Sequence, residues 1–268
     1  MCGISGLFSQ SPVTEADRLS IERMNRIQTH RGPDDEGLFS DNRCVLGHRR
    51  LAIIDLSKDG HEPFVSDDER YYLTYNGEIY NYIELREELR AYGWTFRTKT
   101  DIEVLLKAYQ QYGVDCLSKF NGIFAFAVYD RVQKELFLAR DHVGIKPLYY
   151  AETDEKFYFA SEIKALRSLP GLTMNVNQQS VFDFLVFNRT DVFDETFICE
   201  IKRLPKGHFA IINQEGLNLV RWWNPEDFIQ NETITEAQTI EKVEALLVSA
   251  VQLQMRSDVP VGSCLSGG

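Results

Sequence analysis

Short apolar segments, rich in Phe, Tyr, Val and Ile and separated by polar turns, recur through the first part of the chain. Aromatic and β-branched side chains in short runs are typical of strands in antiparallel sheets. The pattern therefore predicts a fold built around such sheets. The predicted strands cover residues 4–8, 45–54, 71–75, 123–129, 136–139, 148–151 and 157–160.

Two helical segments interrupt the strands. Apolar residues recur at helical spacing over residues 79–92. The segment Thr100-x-x-Glu103 is typical of a capping box and predicts a second helix, which ends at Gly113. Strands, then two helices, then more strands predict an α+β fold with helices layered on sheets, rather than a repeated β-α-β arrangement.

The character of the chain changes from about Arg221 onward. A polar stretch leads into a helical pattern over residues 240–254, which is followed by a short apolar run. The run predicts a strand that enters a phosphate-binding loop. The sequence stops before the helix whose N-terminus would complete that loop. The residues of this partial loop are Leu265, Ser266, Gly267 and Gly268.

Composition and charge narrow the function classes. A formal net charge of −11 argues against nucleic acid as a partner, because phosphates would be repelled. The five cysteines are irregularly spaced and include no C-x-x-C pair, so neither a disulfide framework nor a metal site is expected. The N-terminus lacks the features of a signal peptide, and the longest apolar run is too short to span a membrane. We therefore expect a cytoplasmic protein without a membrane partner.

The first residues carry a candidate nucleophile. Cys2 directly follows the initiator Met1, and removal of Met1 would place a thiol beside a free α-amine. Such an amine has an ordinary pKa of about 7.7–8.0 and can take a proton at neutral pH, so one residue supplies both nucleophile and base. A second-position cysteine can also be incidental, so Cys2 alone is weak support.

Other segments carry polar groups that suit a zwitterionic amide. A cation such as Arg50 can hold an α-carboxylate, and carboxylates such as Glu78 and Asp101 can hold an α-ammonium. The side chain of Asn76 with the backbone N–H of Gly77 can stabilise a tetrahedral oxyanion. Each also has a plain structural interpretation: Asn-Gly is a common turn, the arginine can lie at a strand edge, and the aspartate favours a helix N-terminus.

A series of motifs in order makes the pattern specific. The chain contains Met-Cys-Gly-Ile-x-Gly, His-Arg-Gly-Pro-Asp, Gly-His-x-Arg-Leu, Tyr-Asn-Gly-Glu-Ile-Tyr-Asn, Thr-Asp-x-Glu-Val, Phe-Asn-Gly-x-Phe-Ala-Phe, Ala-Arg-Asp-x-x-Gly-x-Lys-Pro-Leu-Tyr, Phe-Ala-Ser-Glu-x-Lys-Ala-Leu and Leu-Ser-Gly-Gly. Over essentially its whole length it resembles the class II, N-terminal-nucleophile glutamine amidotransferases, specifically the asparagine synthetase family. The resemblance implies a four-layer αββα sandwich over residues 1–218. It also implies a linker and the truncated start of an α/β ATP-pyrophosphatase domain over residues 219–268.

The resemblance also implies residue roles. Cys2 is the nucleophile, Asn76 and Gly77 form the oxyanion hole, and Arg31 has a supporting role. The glutamine-binding residues are Arg50, Leu51, Ile53, Ile54, Asn76, Gly77, Glu78 and Asp101. Arg49 could compete for the carboxylate role, but the match to Gly-His-x-Arg favours Arg50.

The same resemblance implies ligands and partners. The glutaminase step needs no cofactor, whereas the synthetase step uses ATP and Mg²⁺ at the incomplete loop. The partners are glutamine and, as acceptor, aspartate, with a homodimer as an expected assembly. Two alternatives remain open: the same glutaminase half could amidate another carboxylate, such as a sugar acid in surface-polysaccharide synthesis, or the chain could be a non-catalytic scaffold.

Overall fold

A computed structural model describes residues 1–153, 155–190, 193–229 and 234–262. Within these ranges the strands form two antiparallel sheets of six strands each, accompanied by helices. The predicted α+β class is therefore confirmed. The predicted strand and phosphate-binding loop at Leu265, Ser266, Gly267 and Gly268 lie outside the described residues.

The described chain divides into two compact units. The first contains Met1–Leu51, His61–Glu78 and Gly122–Trp223. The second is assembled from Ala52–Gly60, Ile79–Asn121 and Asn224–Gly268. The boundary predicted near residue 218 stays a prediction, since these units follow spatial compactness and not the order of the chain.

The first sheet carries the N-terminus of the chain. Its strands in spatial order are β10 (Lys202–Arg203), β8 (Tyr149–Glu152), β9 (Lys156–Ala160), β1 (Gly3–Ser9), β3 (Cys44–Arg50) and β2 (Asp35–Ser40). Every residue of β1 and β3 is buried, so both faces of the sheet centre are covered. Because side chains alternate along a strand, Ile4 and Phe8 point to one face and Leu7 to the other.

The second sheet packs face to face against the first. Its strands in spatial order are β12 (Gly216–Arg221), β11 (His208–Asn213), β7 (Glu135–Arg140), β6 (Gly122–Asp130), β5 (Tyr71–Ile79) and β4 (Phe64–Val65). One core cluster joins Ile4 and Phe8 of β1 to Ala127 and Leu138 of the second sheet. This cluster is the hydrophobic centre of the first unit.

Helices α1 (Glu15–Ile27) and α4 (Ile163–Leu166) cover the other face of the first sheet. There Ile21 and Met24 of α1 pack with Leu7. Sequence analysis did not predict α1, because its apolar residues are sparse among charged ones. Helix α5 (Gln178–Phe187) follows later in the chain and has no buried residue.

The second unit contains the helices α2 (Tyr82–Ala91), α3 (Asp101–Tyr112) and α6 (Glu236–Gln254). The predicted capping box at the start of α3 is half right. The Thr100 side chain accepts from the Glu103 backbone N–H at 3.3 Å. The Glu103 carboxylate instead accepts from the Thr98 N–H at 2.7 Å, because the preceding loop turns back over the helix end.

Two predicted boundaries were wrong near the motifs. The strand predicted over 45–54 ends at Arg50. The helix predicted from residue 79 begins at Tyr82, because β5 continues to Ile79 beside β6. Asn76-Gly77-Glu78 therefore lies in a strand and not in a turn.

Candidate active site

Cys2 lies immediately before β1 and beside the end of β3. Strands β1 and β3 pair antiparallel with Gly3 opposite Arg49, which brings Leu51 next to the thiol. The Leu51 N–H donates to Cys2 Sγ at 3.4 Å, and the Leu51 carbonyl oxygen lies 3.7 Å from the same sulfur. Two residues predicted for the site are thus in direct contact.

The surroundings of Cys2 favour the neutral thiol over the thiolate. Burial raises the pKa of the Cys2 thiol to about 11, and the negative charge of Glu62 acts in the same direction. The Leu51 N–H opposes both effects. The thiol therefore needs a base at neutral pH. Burial also lowers the pKa of the Met1 α-amine, which favours the neutral, proton-accepting form of an amine in this region.

Arg31 fixes the backbone of the nucleophile. Its Nε donates to the Cys2 carbonyl oxygen at 2.8 Å, and its Nη1 lies 3.2 Å from Glu162 Oε1. The next residue, Gly32, approaches the neighbouring strand so closely that a Cβ would lie 2.3 Å from the carbonyl carbon of Arg49. This loop requires glycine for that approach, and the arginine it carries contacts the Cys2 backbone.

The two adjacent arginines of β3 have different surroundings. The Nε of Arg49 donates to the Gly32 carbonyl oxygen at 3.1 Å, and its Nη1 contacts Glu36. Successive side chains of a strand point to opposite faces, so Arg50 is directed away from these partners. Arg50 is itself buried and directly precedes Leu51. The contacts of Arg49 are thus with Gly32 and Glu36, and the assignment of Arg50 to the substrate carboxylate stays a prediction.

Asn76 presents a buried amide without a partner. The residue is fully buried in β5, and among the described residues neither its Nδ2 nor its Oδ1 has a hydrogen-bond partner. Leaving such a group unsatisfied costs about 1–3 kcal/mol, so an unpaired buried amide is rare in folded proteins. A ligand oxygen is the kind of group that would satisfy its N–H donors.

The backbone before Asn76 is held by residues that sequence analysis did not assign to the site. Glu62 Oε2 accepts from the Tyr75 N–H at 2.6 Å, and His48 Nε2 lies 3.0 Å from the Tyr75 carbonyl oxygen. Because a carbonyl oxygen only accepts, His48 Nε2 donates this hydrogen bond, and Glu62 Oε1 lies 3.2 Å from the same nitrogen. Burial lowers the pKa of His48 to about 3. The only sequence signal was the unusual charge within the apolar strand β3.

Gly77 and Glu78 complete the motif at the end of β5. A Cβ on Gly77 would lie 2.4 Å from the Ile123 carbonyl oxygen and 2.8 Å from the Phe124 Cα, so this position excludes other residues. Glu78 is half-buried, and its charge acts on the Met1 α-amine. The motif therefore places a backbone N–H and a carboxylate on one short segment.

Lys146 is a further buried cation in this region. It is 6% exposed, and burial lowers the pKa of its ammonium group. The negative charges of Glu78 and of a Cys2 thiolate oppose that effect, which indicates that both lie within electrostatic range of the ammonium. The sequence contained it in the Gly-x-Lys-Pro motif, but nothing in the local pattern indicated a role.

The remaining predicted residues belong to the second unit. Asp101 is the first residue of α3 and is buried, and its Oδ2 accepts from the Ile79 N–H at 3.1 Å. The carbonyl oxygen of Ile53 accepts from the Asp258 N–H at 3.0 Å. Ile54 follows it in the same loop. The structure thus gives these residues contacts within their own unit.

The described residues provide neither a metal-binding cluster nor a membrane-spanning helix. No group of histidine, cysteine, aspartate and glutamate side chains in this part of the chain is arranged to hold a metal ion. Among the same residues, no helix combines the length and apolar character needed to cross a membrane.

Comparison with protein families gives two matches. A family described as a glutamine amidotransferase domain matches residues 1–223. A family described as asparagine synthase matches residues 242–268.

Individual relatives match the chain over its full length. Asparagine synthetase [glutamine-hydrolyzing] 1 of Bacillus subtilis is 39% identical over 270 residues, which cover 100% of this chain and 42% of the relative. A putative asparagine synthetase [glutamine-hydrolyzing] 2 of Methanocaldococcus jannaschii is 35% identical and is covered over 55% of its length. The chain thus spans about half the length of these relatives.

A solved structure shares the fold. Glutamine phosphoribosylpyrophosphate amidotransferase from B. subtilis, complexed with ADP and GMP, superposes with a TM-score of 0.58 at 20% identity. The match covers 83% of this chain and 49% of that enzyme. At this identity the similarity establishes the architecture alone.

Proposed function

We propose that this chain, which belongs to the glutamine amidotransferase domain family and is related along its length to asparagine synthetases, hydrolyses glutamine to glutamate and ammonia at Cys2. The observation that carries the proposal is the buried, unpartnered amide of Asn76 on the strand that also carries Gly77. In a scaffold without activity, the unpaired amide would only reduce stability, by about 1–3 kcal/mol.

The proposed reaction begins once Met1 has been removed. The α-amine of Cys2 takes the thiol proton while Sγ attacks the side-chain carbonyl carbon of glutamine. The oxyanion that forms accepts hydrogen bonds from the Asn76 side chain and the Gly77 N–H. The ammonium of Cys2 then returns the proton to the leaving nitrogen, which departs as ammonia. Water hydrolyses the thioester to glutamate and restores the thiol.

Charged residues of the first unit would hold the two ends of the substrate. Arg50 suits the α-carboxylate, because it is a buried guanidinium that directly precedes Leu51, the residue in contact with Cys2 Sγ. Glu78 suits the α-ammonium, and Arg31 holds the Cys2 backbone. The assignment of Ile53, Ile54 and Asp101 to the glutamine site stays a prediction from the resemblance.

For the complete protein we propose ATP-dependent amidation of aspartate with the ammonia released here. The support is the asparagine synthase match over residues 242–268 and the names of the relatives. ATP and Mg²⁺ would bind at the loop that begins with Leu265, and a homodimer in the cytoplasm remains our proposed setting. The relatives favour aspartate over a sugar acid as acceptor.

A glutaminase assay tests the first proposal. Mass spectrometry should establish that Met1 is absent, and the protein should then release glutamate from glutamine, whereas Cys2→Ala should not. Activity in protein that retains Met1 would contradict the assigned base. Assays of the full-length protein with ATP, Mg²⁺ and either aspartate or a sugar acid would decide the acceptor.

A further inference from the structure

Asp141 has an unusually complete set of backbone donors. It is 1% exposed and follows directly after β7. Its Oδ1 accepts from the N–H groups of Val143 (3.2 Å), Gly144 (2.7 Å) and Ile145 (2.9 Å), and its Oδ2 accepts from those of Phe124 (3.2 Å) and Lys146 (2.9 Å). One carboxylate therefore organises a whole loop and also reaches a second segment.

The neighbouring residue, Arg140, fixes the same loop through its carbonyl groups. Its Nε donates to the Lys146 oxygen at 2.8 Å, and its Nη2 donates to the Gly144 oxygen at 2.7 Å. Its Nη1 donates to the Leu204 oxygen at 2.7 Å, which ties the loop to the chain that precedes β11. The loop is thus held through both its N–H and its carbonyl groups, and both backbone groups of Lys146 are hydrogen-bonded.

The second segment held by Asp141 lies against the oxyanion motif. Besides accepting from the Phe124 N–H, Asp141 donates its own N–H to the Phe124 carbonyl oxygen at 2.8 Å. The Phe124 Cα lies where a Cβ on Gly77 would approach within 2.8 Å. The Gly77 backbone therefore rests directly on a residue whose two backbone groups are both bonded to Asp141.

We propose that Asp141 is a positioning residue for glutamine hydrolysis, because its carboxylate holds the backbone behind Gly77 and the cation Lys146 in one rigid frame. The inference rests on the proposed glutaminase function. In this frame the Gly77 N–H keeps its direction toward the oxyanion. The Lys146 ammonium favours negative charge on the sulfur, and Glu78, Arg31 and Asp141 are the other charges that act on it.

Asp141→Asn tests the frame against a matched control. Asparagine keeps one acceptor but turns an NH₂ group toward backbone donors, so the loop and Phe124 must shift. A misplacement of about 1 Å can cost about 10²-fold in rate, so we expect kcat to fall about 10- to 100-fold with KM changed less than about threefold. The control is Asp130→Asn, which removes a carboxylate that caps the other end of the same hairpin through Val132 and Gln133.

Asp130→Asn should lower the melting temperature and leave kcat within about twofold of the unchanged chain. Both variants are to be assayed well below their melting temperatures, with folding checked by circular dichroism. If the unchanged chain is active and the two variants have equal kcat, the inference is overturned while the proposed function stands. An unchanged chain that lacks glutaminase activity after Met1 removal would overturn the proposed function and the inference together.

Lys146→Met and Lys146→Arg give a second readout, the pH dependence of kcat/KM. This readout tests the role of the Lys146 charge even if Asp141→Asn does not fold. Removing a positive charge raises the pKa of nearby groups, so Lys146→Met should move the rising limb of kcat/KM to higher pH. Lys146→Arg should keep the limb in place, because it keeps the positive charge. A Lys146→Met profile that superposes on that of the unchanged chain would overturn the inference.

Discussion

Single residues of the candidate site are placed where burial alone would not favour them. The amide of Asn76 is fully buried without a partner, and the thiol of Cys2 is held as a neutral acid. The unpaired amide costs free energy in the absence of substrate, and so does any ionisation of the buried thiol. An oxyanion beside the Asn76 amide would turn its cost into a favourable interaction, which is the expected arrangement for differential stabilisation of a transition state.

Replacing Asn76 should affect the chemical step. We expect Asn76→Ala to lower kcat for glutamine hydrolysis by about 10²–10³-fold, because one oxyanion donor is lost, with a much smaller change in KM. Steady-state kinetics would measure this. Asn213→Ala, at the turn between β11 and β12, is the control and should keep its rate. A normal kcat in Asn76→Ala would remove this side chain from the oxyanion hole.

The pH dependence should report the amine base. The amine accepts the thiol proton only when neutral, so activity should be lost as the pH falls through the amine pKa. Burial lowers the pKa of the Met1 amine, and Cys2 is less exposed than Met1. We therefore expect the rising limb of kcat/KM to have its midpoint below the ordinary range of about 7.7–8.0. Rates measured across this range at constant ionic strength would contradict the assignment if the midpoint lay above it.

At the level of elements, the polar groups of the site lie at or near the ends of strands and helices. Cys2 precedes β1, Arg50 ends β3, and Asn76 to Glu78 lie near the end of β5. Strand ends leave backbone N–H groups available, as the Leu51 N–H that faces the sulfur illustrates. Helix α3 uses the same principle, since Asp101 and Glu103 in its first turn bind backbone N–H groups.

Glu103 should be important for the stability of the second unit. It is 1% exposed, accepts from the Thr98 N–H, and lies 3.6 Å from the buried ammonium of Lys107. Removing one partner of a buried ion pair costs about 3–5 kcal/mol, and we expect that loss for Glu103→Ala. Urea unfolding would measure it.

The comparison for that measurement is Thr235→Ala at the exposed N-cap of α6, where we expect a loss of about 1 kcal/mol. Equal losses in the two variants would contradict the importance of burial at Glu103.

For the whole molecule, α6 is the longest of the described helices and, like α5, has no buried residue. Ile240, Val243, Leu247 and Val251 recur at intervals of three and four, so they form an apolar stripe along the helix. Exposed stripes of this kind mark surfaces that another polypeptide covers.

The apolar stripe of α6 should make this chain self-associate. Val243→Lys combined with Leu247→Glu should weaken association by about tenfold or more, since each buried aliphatic side chain contributes about 1.5–3 kcal/mol and 1.4 kcal/mol corresponds to tenfold. Light scattering across a concentration series would measure it. The control is Ser249→Glu on the opposite side of the helix. A monomer at all concentrations would contradict the expectation, and glutaminase activity should be equal in all variants.

The sequence by itself determined the class of fold and the chemical types of the candidate site. Short aromatic and β-branched runs predicted the sheets because strand formation depends on local side-chain packing. Ordered motifs identified Cys2, Arg50 and the Asn76-Gly77-Glu78 segment. The alternative interpretation of that segment as a turn was wrong, since Asn-Gly is common in turns and pairing with β6 cannot be read from neighbouring residues.

Only the tertiary structure decided which distant residues meet. Glu62 and His48 hold Tyr75, Asp141 holds Phe124, and Lys146 is buried near Cys2 and Glu78, although no local pattern relates them. Their proximity depends on the order of strands in two packed sheets. The same packing places Arg49 against Gly32, because the direction of a side chain becomes a contact only when the neighbouring strand and loop are in place.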